Sequence, residues 1–388
     1  MASARGTIAV AGALAQRPYM GGHTWVFLQY LLGFRRLGWD VVFIDRLEPG
    51  MPLDRDARPV PVETSVNLAY LRESMDSFGL GESWALLYDR STRAFGMSKD
   101  EIVARVKQSA LLINFMGYLD DPEIRDVAPK RAFVDIDPGF AQLWHELGWH
   151  DAFKSHDAYV TIGENIGETD CDVPTCGKEW IHTRQPVVLD EWPVQRASEA
   201  RFTTIGTWRG PFEAIEHRGR RYGLRAHEFR KFLALPRITG GSFELALDID
   251  PADREDVERL RANGWKLVEP RSVAPSPSRY RRYIQASFAE LCVPKNLYVE
   301  TRSGWFSDRS ACYLASGKPV LVRDTGLARN LPTGKGLCTF VTLDDAASGF
   351  RDICADYDAH SEAARALAEE HFSSDVVLSR LLAALDVH

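Results

Sequence analysis

Continuously apolar segments that alternate with amphipathic ones are the feature that most constrains this fold. The apolar segments include TIAVAGA (7–13), DVVFIDRL (40–47) and SALLINFMGY (109–118), and a helical pattern at 24–38 separates the first two. A strand that is buried on both faces is apolar throughout, whereas a strand with one solvent-exposed face alternates apolar and polar residues. The pattern therefore predicts an α/β fold with parallel sheets that are covered by helices on both faces.

The same pattern begins a second time after residue 195. A chain of 388 residues is longer than one hydrophobic core usually serves, and the segment 184–200 combines two prolines with weak periodicity. We therefore predict two Rossmann-like domains, 1–195 and 196–388, with a last helix that can pack back on the first domain. In the second domain we expect a strand at 200–208 and a helix over 278–292. Ligands of such domains bind in the cleft between the carboxyl ends of the strands.

Composition argues against several classes of protein. The net charge of −7 argues against nucleic acid as a partner, and no apolar run approaches the length of a transmembrane helix. The N-terminal TIAVAGALAQ is interpreted as a buried strand rather than as part of a signal peptide. The six cysteines lie in mostly apolar contexts, which indicates reduced thiols and a cytoplasmic protein. The sequence is also compatible with a homodimer.

The stretch RSGWFSDRSACYLASGKPVLVRDTG (302–326) predicts a turn aimed at the N-terminus of a helix. Ser303 and Gly304 allow close backbone approach, and Ser307 and Asp308 are residues that cap helices. The free N–H groups of a helix N-terminus bind anions, so a phosphate is the expected ligand. The alternative is that Ser307 or Asp308 only caps a structural helix.

Further polar residues are expected at the same edge of the second sheet. The chain returns there in a second turn, Asp324-Thr325-Gly326, which together with the first turn suits a polyol phosphate. Arg209 follows the strand at 200–208, where a guanidinium can bind phosphate with two hydrogen bonds. Trp208 precedes it and can stack on a base, although tryptophan more often packs in a core.

A histidine begins the first helical pattern in GALAQRPYMGGHTWVFLQYLL. The helix dipole disfavours the imidazolium form of His23, which leaves a neutral imidazole suited to general-base catalysis. Asp135 or Asp137, at the end of an apolar strand, is expected to orient this imidazole. The alternative is that His23 is only a polar cap. The loop lacks the GxGxxG pattern, which argues against a nicotinamide enzyme.

Two motifs suggest a metal ion, but the sequence completes neither. Cys171, Cys176 and His182 form at most half of a zinc site, because no second cysteine pair follows. The DxD spacings at 135–137 and 248–250 are short patterns that recur by chance. We therefore predict no bound metal.

The chain resembles the GT-B glycosyltransferases over nearly its whole length. GGHTWVFLQYLLGFRRLGWDVVFID looks like the opening of that family, and residues 302–326 are similar to its donor-binding signature. The resemblance implies that His23 is the catalytic base beside Gly22. It further implies diphosphate contacts from Ser303, Gly304 and Ser307.

The same resemblance assigns the remaining donor-binding residues. Asp324 and Thr325, followed by Gly326, would take the place of the acidic pair that holds the sugar hydroxyls. Arg302 stands where the family has a histidine, and with Arg209 it would stabilise the leaving diphosphate. Asp308 would replace the family's glutamate one turn earlier.

The resemblance implies an inverting, metal-independent glycosyltransferase of bacterial natural-product type without a cofactor. It would move a hexose such as glucose from a nucleotide-diphosphate sugar, with a UDP-sugar as the expected type, to a hydroxyl of a small-molecule acceptor. The alternatives are a nucleotide-sugar 2-epimerase of the same architecture and a non-catalytic nucleotide- or sugar-binding protein.

Overall fold

The fold contains two largely parallel sheets, one from each half of the chain. The computed structural model describes residues 5–197, 199–210 and 212–388. The first sheet has the strand order β4-β3-β2-β1-β5-β6-β7-β8, and all neighbours in it are parallel except β3 and β4. Its strands are β1 (Thr7–Ala11), β2 (Asp40–Leu47), β3 (Trp84–Tyr88), β4 (Arg93–Gly96), β5 (Leu111–Phe115), β6 (Arg131–Asp135), β7 (Ala158–Thr161) and β8 (Trp180–His182).

The second sheet has the order β13-β12-β9-β14-β15-β16 and is entirely parallel, while β10 and β11 form a separate antiparallel ribbon. The strands of this half are β9 (Arg201–Thr207), β10 (Ile215–His217), β11 (Arg220–Tyr222), β12 (Ser242–Asp248), β13 (Lys266–Leu267), β14 (Ala289–Cys292), β15 (Val320–Arg323) and β16 (Leu337–Phe340). The predicted boundary near residue 195 falls in the connection between the two sheets.

Helices cover both sheets, as the apolar strands require. The helices are α1 (Gly21–Arg36), α2 (Val66–Asp76), α3 (Lys99–Gln108), α4 (Pro122–Arg125), α5 (Phe140–Glu146), α6 (Arg225–Phe229), α7 (Leu235–Thr239), α8 (Arg254–Ala262), α9 (Pro270–Val273), α10 (Pro277–Ala286), α11 (Asn296–Glu300), α12 (Asp308–Ala315), α13 (Leu343–Ala355), α14 (Tyr357–His371) and α15 (Ser374–Ala384). The predicted α/β class with parallel sheets is confirmed. Within the part of the chain that the structure describes, no helix is long and apolar enough to cross a membrane.

One predicted element is wrong at its end. The expected helix over 278–292 stops at Ala286, and Ala289–Cys292 forms the strand β14 between β9 and β15. All four residues of β14 are buried. A four-residue apolar segment fits a buried strand as well as the end of a helix, and here its place at the centre of the sheet decides the outcome.

The two halves share one hydrophobic core on the side of α1. Trp25 of α1 packs its ring 5.0 Å from that of Trp192 and donates a hydrogen bond from Nε1 to the carbonyl of Pro277, at the start of α10. Trp192 in turn packs on Tyr280 of α10. Because these side chains are buried together, α1 fixes the first half against the second.

The last helix packs back on the first half, as the sequence allowed. A Cβ atom on Gly33 of α1 would lie 2.5 Å from Leu378 and 3.0 Å from Ser374 of α15. Arg36 of α1 also pairs with Asp375, with Nε 3.1 Å from Oδ1. The glycine therefore allows the close approach of α15 to α1.

We expect Gly33→Ala to destabilise the protein by about 1–3 kcal/mol, because overpacking outweighs the gain in helix propensity. Chemical denaturation of Gly33→Ala, Leu378→Ala and the double variant measures the coupling. The double variant should lose less stability than the sum of the single changes, since the smaller residue 378 makes room for the new methyl group. Additive losses would mean that the two helices are not in close contact here.

Candidate active site

A cleft of about 770 Å³ lies where the carboxyl ends of the two sheets face each other. Its first wall comes from the loops after β1, β5 and β6, and its second wall comes from the loops after β9 and β12. The side chains that line the cleft include His23, Arg17, Arg46, Asp120, Asp137, Trp144, Arg209, Phe212 and Asp250. Parallel α/β sheets bind ligands at this edge.

His23 lies in the first turn of α1 and lines the cleft. Its Nε2 is 3.1 Å from the carbonyl oxygen of Ala13. A carbonyl oxygen only accepts hydrogen bonds, so Nε2 carries the proton and Nδ1 carries the lone pair. Burial is the main cause that lowers the pKa of His23 to about 4, and the nearby charge of Arg17 lowers it further. The ring is therefore neutral at physiological pH, with Nδ1 as its basic atom.

The predicted carboxylate partner of His23 is wrong. Asp135 is buried and accepts hydrogen bonds from Gln142 at 2.7 Å, from Thr161 at 3.0 Å and from the backbone N–H of Asp137. Burial raises the pKa of Asp135 to about 6. Asp137 lines the cleft but pairs with a lysine of the second half. The carbonyl oxygen of Ala13, and not a carboxylate, therefore accepts the hydrogen bond from His23.

Lys295 is the lysine that pairs with Asp137, and the sequence analysis did not identify it. It follows β14 and is buried, and it also donates a hydrogen bond to the hydroxyl of Tyr298 at 2.9 Å. The only sequence signal was a lysine close to the end of a parallel strand. The misassigned helix over 278–292 concealed that strand.

The stretch 302–326 binds the other half of the protein instead of lining the cleft. Asn165, in the loop after β7, is buried between the halves. Its Nδ2 donates to the carbonyl of Arg302 at 2.9 Å and to that of Gly326 at 3.1 Å, and its backbone N–H donates to Ser303. Gly304 and Gly326 both have positive φ, and a Cβ atom on either would lie within 2.8 Å of the Asn165 side chain. The two glycine turns therefore admit an asparagine side chain.

The other predicted donor residues of this stretch do not line the cleft either. Ser303 is fully buried, and Ser307 caps α12 by accepting a hydrogen bond from the N–H of Arg309 at 3.2 Å. The capping alternative thus describes Ser307. Burial raises the pKa of Asp308 at the start of this helix. The hydroxyl group of Ser307 thus has a partner within the protein, and a phosphate at the N-terminus of α12 stays a prediction.

The second turn and Arg302 also have partners within the protein. Thr325 is buried and donates to the carbonyl of Trp305 at 2.7 Å, and Asp324 accepts the N–H of Gly326 at 2.9 Å. Arg302 is exposed and pairs with Asp170 at 3.4 Å. None of these side chains lines the cleft.

Of the remaining predicted donor residues, the structure brings only Arg209 to the cleft. Its Nε and Nη2 each lie 2.7 Å from an oxygen of Asp253, and half of the side chain is exposed. Trp208 is fully buried and donates from Nε1 to Asp256 at 2.9 Å, so it packs in the core instead of stacking on a base. Gly22 packs against the ring of Tyr280 outside the cleft lining.

The candidate metal motifs are not assembled into a binding cluster. Among the described residues, no three His, Cys, Asp or Glu side chains lie in an arrangement that could hold a metal ion. His182 donates from Nε2 to the carbonyl of Ile166 at 2.9 Å, and the side chain of Asp250 accepts the N–H of Ala252.

Asp45 supports the loop that carries one wall of the cleft. This aspartate of β2 is 2% exposed and accepts the N–H groups of Ala15 and Arg46. Burial raises the pKa of Asp45 to about 7, although these hydrogen bonds oppose the shift. The sequence alone gave no signal for it, because it lies inside a strand that is otherwise mostly apolar.

We expect Asn165→Ala to destabilise the protein by about 1–3 kcal/mol, because it removes the donor from the buried carbonyl of Gly326 and from the partly buried carbonyl of Arg302. Asn263→Ala is the matched control, since that amide is exposed and bonds only within its own helix end. Urea denaturation of both variants measures the difference. Equal losses would contradict the role of Asn165 as a contact between the halves.

Asp45→Asn should reveal the raised pKa of this carboxyl group. The folded-state pKa of about 7 lies above the unfolded value, so the native state binds more protons between these values. The contribution of the Asp45 carboxyl group to the free energy of unfolding of wild type therefore falls as the pH rises from about 4 to 7. Asparagine does not titrate, so the variant should gain stability relative to wild type over that range, by roughly 1–4 kcal/mol in unfolding experiments. A pH-independent difference would contradict this assignment.

No protein-family model matches the sequence, and no curated protein is significantly similar to it. Among solved structures, HepE from Anabaena in complex with UDP-glucose aligns with a TM-score of 0.62 at 10% identity, over 98% of this chain and 100% of its own. Sucrose-phosphate synthase from Thermosynechococcus elongatus gives 0.57 at 12% identity, over 98% and 99%. AviGT4, a glycosyltransferase of avilamycin A biosynthesis, gives 0.54 at 14% identity, over 97% and 96%. The chain therefore has the GT-B fold of nucleotide-sugar glycosyltransferases.

Proposed function

We propose that this protein transfers a hexosyl group from a nucleotide-diphosphate sugar to a hydroxyl of a small-molecule acceptor. The observation that carries the proposal is a neutral, half-buried histidine in a cleft between two facing parallel sheets. HepE, which shares the fold, was solved with UDP-glucose, and this supports a UDP-sugar as the donor. The net charge of −7 supports a small acceptor over nucleic acid.

The donor diphosphate is proposed to bind between Arg17 and Arg209. These residues line the cleft from its two different halves. Asp253 holds Nε and Nη2 of Arg209 and leaves Nη1 for a ligand. Two guanidinium groups can offset the charge of a leaving diphosphate without a metal ion. Trp144 and Phe212 add an aromatic surface in the same cleft.

The acceptor is proposed to enter along the first half. Arg46 and Asp120 line both the cleft and a second cavity of about 340 Å³ at the edge of the first sheet. This cavity therefore adjoins the cleft across the Arg46–Asp120 ion pair, and we propose that the acceptor binds on this side. A 2-epimerase needs no acceptor, so dependence of nucleotide release on an added acceptor distinguishes transfer from epimerisation.

The chemical step is proposed as a single displacement. Nδ1 of His23 takes the proton of the acceptor hydroxyl while its oxygen forms a bond to the anomeric carbon. The bond between that carbon and the diphosphate oxygen breaks, and the diphosphate leaves with the electron pair. One displacement inverts the anomeric configuration. We further propose that the enzyme acts in the cytoplasm without a cofactor.

A thermal-shift panel with UDP, dTDP, GDP and ADP, with and without magnesium, tests the donor site. We expect a selective, magnesium-independent rise in Tm with UDP, since a ligand at a hundredfold excess over its Kd stabilises the protein by about 2.7 kcal/mol. No shift with any diphosphate would contradict the proposed function.

His23→Ala should abolish sugar transfer and leave the Tm shift with UDP intact, because the histidine acts on the acceptor. Proton NMR of the first product formed by wild type should show the anomeric configuration opposite to that of the donor. Retained transfer by the variant would remove His23 from the mechanism, and a product with the donor's configuration would contradict the single displacement.

A further inference from the structure

The ion pair between Lys295 and Asp137 joins the two halves at the wall of the cleft. Asp137 follows β6 of the first sheet, and Lys295 follows β14 of the second. Nζ of Lys295 bonds to Oδ1 of Asp137, and the lysine side chain is only 10% exposed. The pair thus lies on the boundary between the two halves of the protein.

Aromatic rings surround the ammonium group of Lys295. Its Nζ is 4.7 Å from the ring centre of Phe140, 5.4 Å from that of Phe212 and 5.2 Å from that of Tyr298. A buried ammonium is costly unless a carboxylate and hydrogen bonds compensate for the lost water. Burial lowers the pKa of Lys295, and the charge of Asp137 opposes that shift. The ion pair and the aromatic rings therefore fix the position of the lysine side chain.

Asp137 presents its second oxygen to the cleft. Its side chain is 21% exposed and lines the cleft, while Oδ1 is occupied by Lys295. Oδ2 accepts no hydrogen bond from any residue that the structure describes. A carboxylate with one fixed oxygen and one free oxygen is a strong, well-oriented acceptor for hydroxyl groups.

We propose that Asp137 binds the hydroxyl groups of the sugar that is transferred, and that Lys295 is the positioning residue that holds this carboxylate at the boundary. The inference rests on the proposed function. A sugar that reacts between a diphosphate at Arg17 and Arg209 and an acceptor hydroxyl at His23 must lie in the cleft, which Asp137 also lines. Asp137 then contacts the sugar, while the nucleotide binds to other residues.

Calorimetric titration separates these roles, because UDP lacks the sugar. Wild type, Asp137→Asn and Lys295→Met are titrated with UDP and with UDP-glucose, UDP-galactose and UDP-N-acetylglucosamine. For the UDP-sugar that wild type binds most tightly, both variants should lose about 10-fold to 100-fold in affinity, which corresponds to one charge-assisted hydrogen bond. Their affinity for UDP should change by less than about twofold.

Two further variants guard against a purely structural effect. Lys295→Arg should restore most of the affinity for the UDP-sugar, since a guanidinium can also hold Asp137. The double variant Asp137→Asn with Lys295→Met leaves no unpaired charge, so it should fold even if Lys295→Met does not. It should also lose affinity for the UDP-sugar while it retains its affinity for UDP.

An equal loss of affinity for UDP and the UDP-sugar would overturn the inference, and so would unchanged affinity for every UDP-sugar. If wild type binds UDP and the variants show either of these patterns, the proposed function stands and only this inference fails. If wild type binds neither UDP nor a UDP-sugar, both the proposed function and this inference fail.

Discussion

Asn165 is buried between the two halves, and its side-chain amide donates to carbonyl groups of both glycine turns in the stretch 302–326. These hydrogen bonds therefore fix the position of the loop after β7 relative to the turns before and after α12. Together with the shared core around Trp25, this contact closes one side of the space between the sheets. The cleft at the carboxyl ends of β1, β6 and β9 is the space that remains for a ligand.

Burial gives the side chains of this cleft their chemistry. The same exclusion of water that lowers the pKa of His23 raises that of Asp135, so both groups disfavour their charged forms. Asp137 and Lys295 remain near each other in this environment because each compensates the charge of the other. The proposed site thus combines a neutral base, an oriented carboxylate and two arginines on opposite walls.

The fold could be predicted from the sequence because its signals are local. Apolar strands such as Asp40–Leu47 keep their pattern wherever they pack, and His23 could be assigned to a helix start from its own loop. The role of residues 302–326 could not be predicted, because Asn165 lies 137 residues from Arg302 along the chain. A glycine turn before a helix has the same sequence whether it admits a phosphate or an amide. The role of Lys295 could not be predicted either, because its partner Asp137 is 158 residues away along the chain.

A crystal structure with bound UDP is the decisive test of the proposed donor site, because it locates the nucleotide without any knowledge of the acceptor. The proposed donor site requires the diphosphate to lie in the cleft within hydrogen-bonding distance of Arg209, with Asn165 still bonded to the two glycine turns. Diphosphate density at the N-terminus of α12, with Asn165 displaced from Gly304 and Gly326, would contradict it.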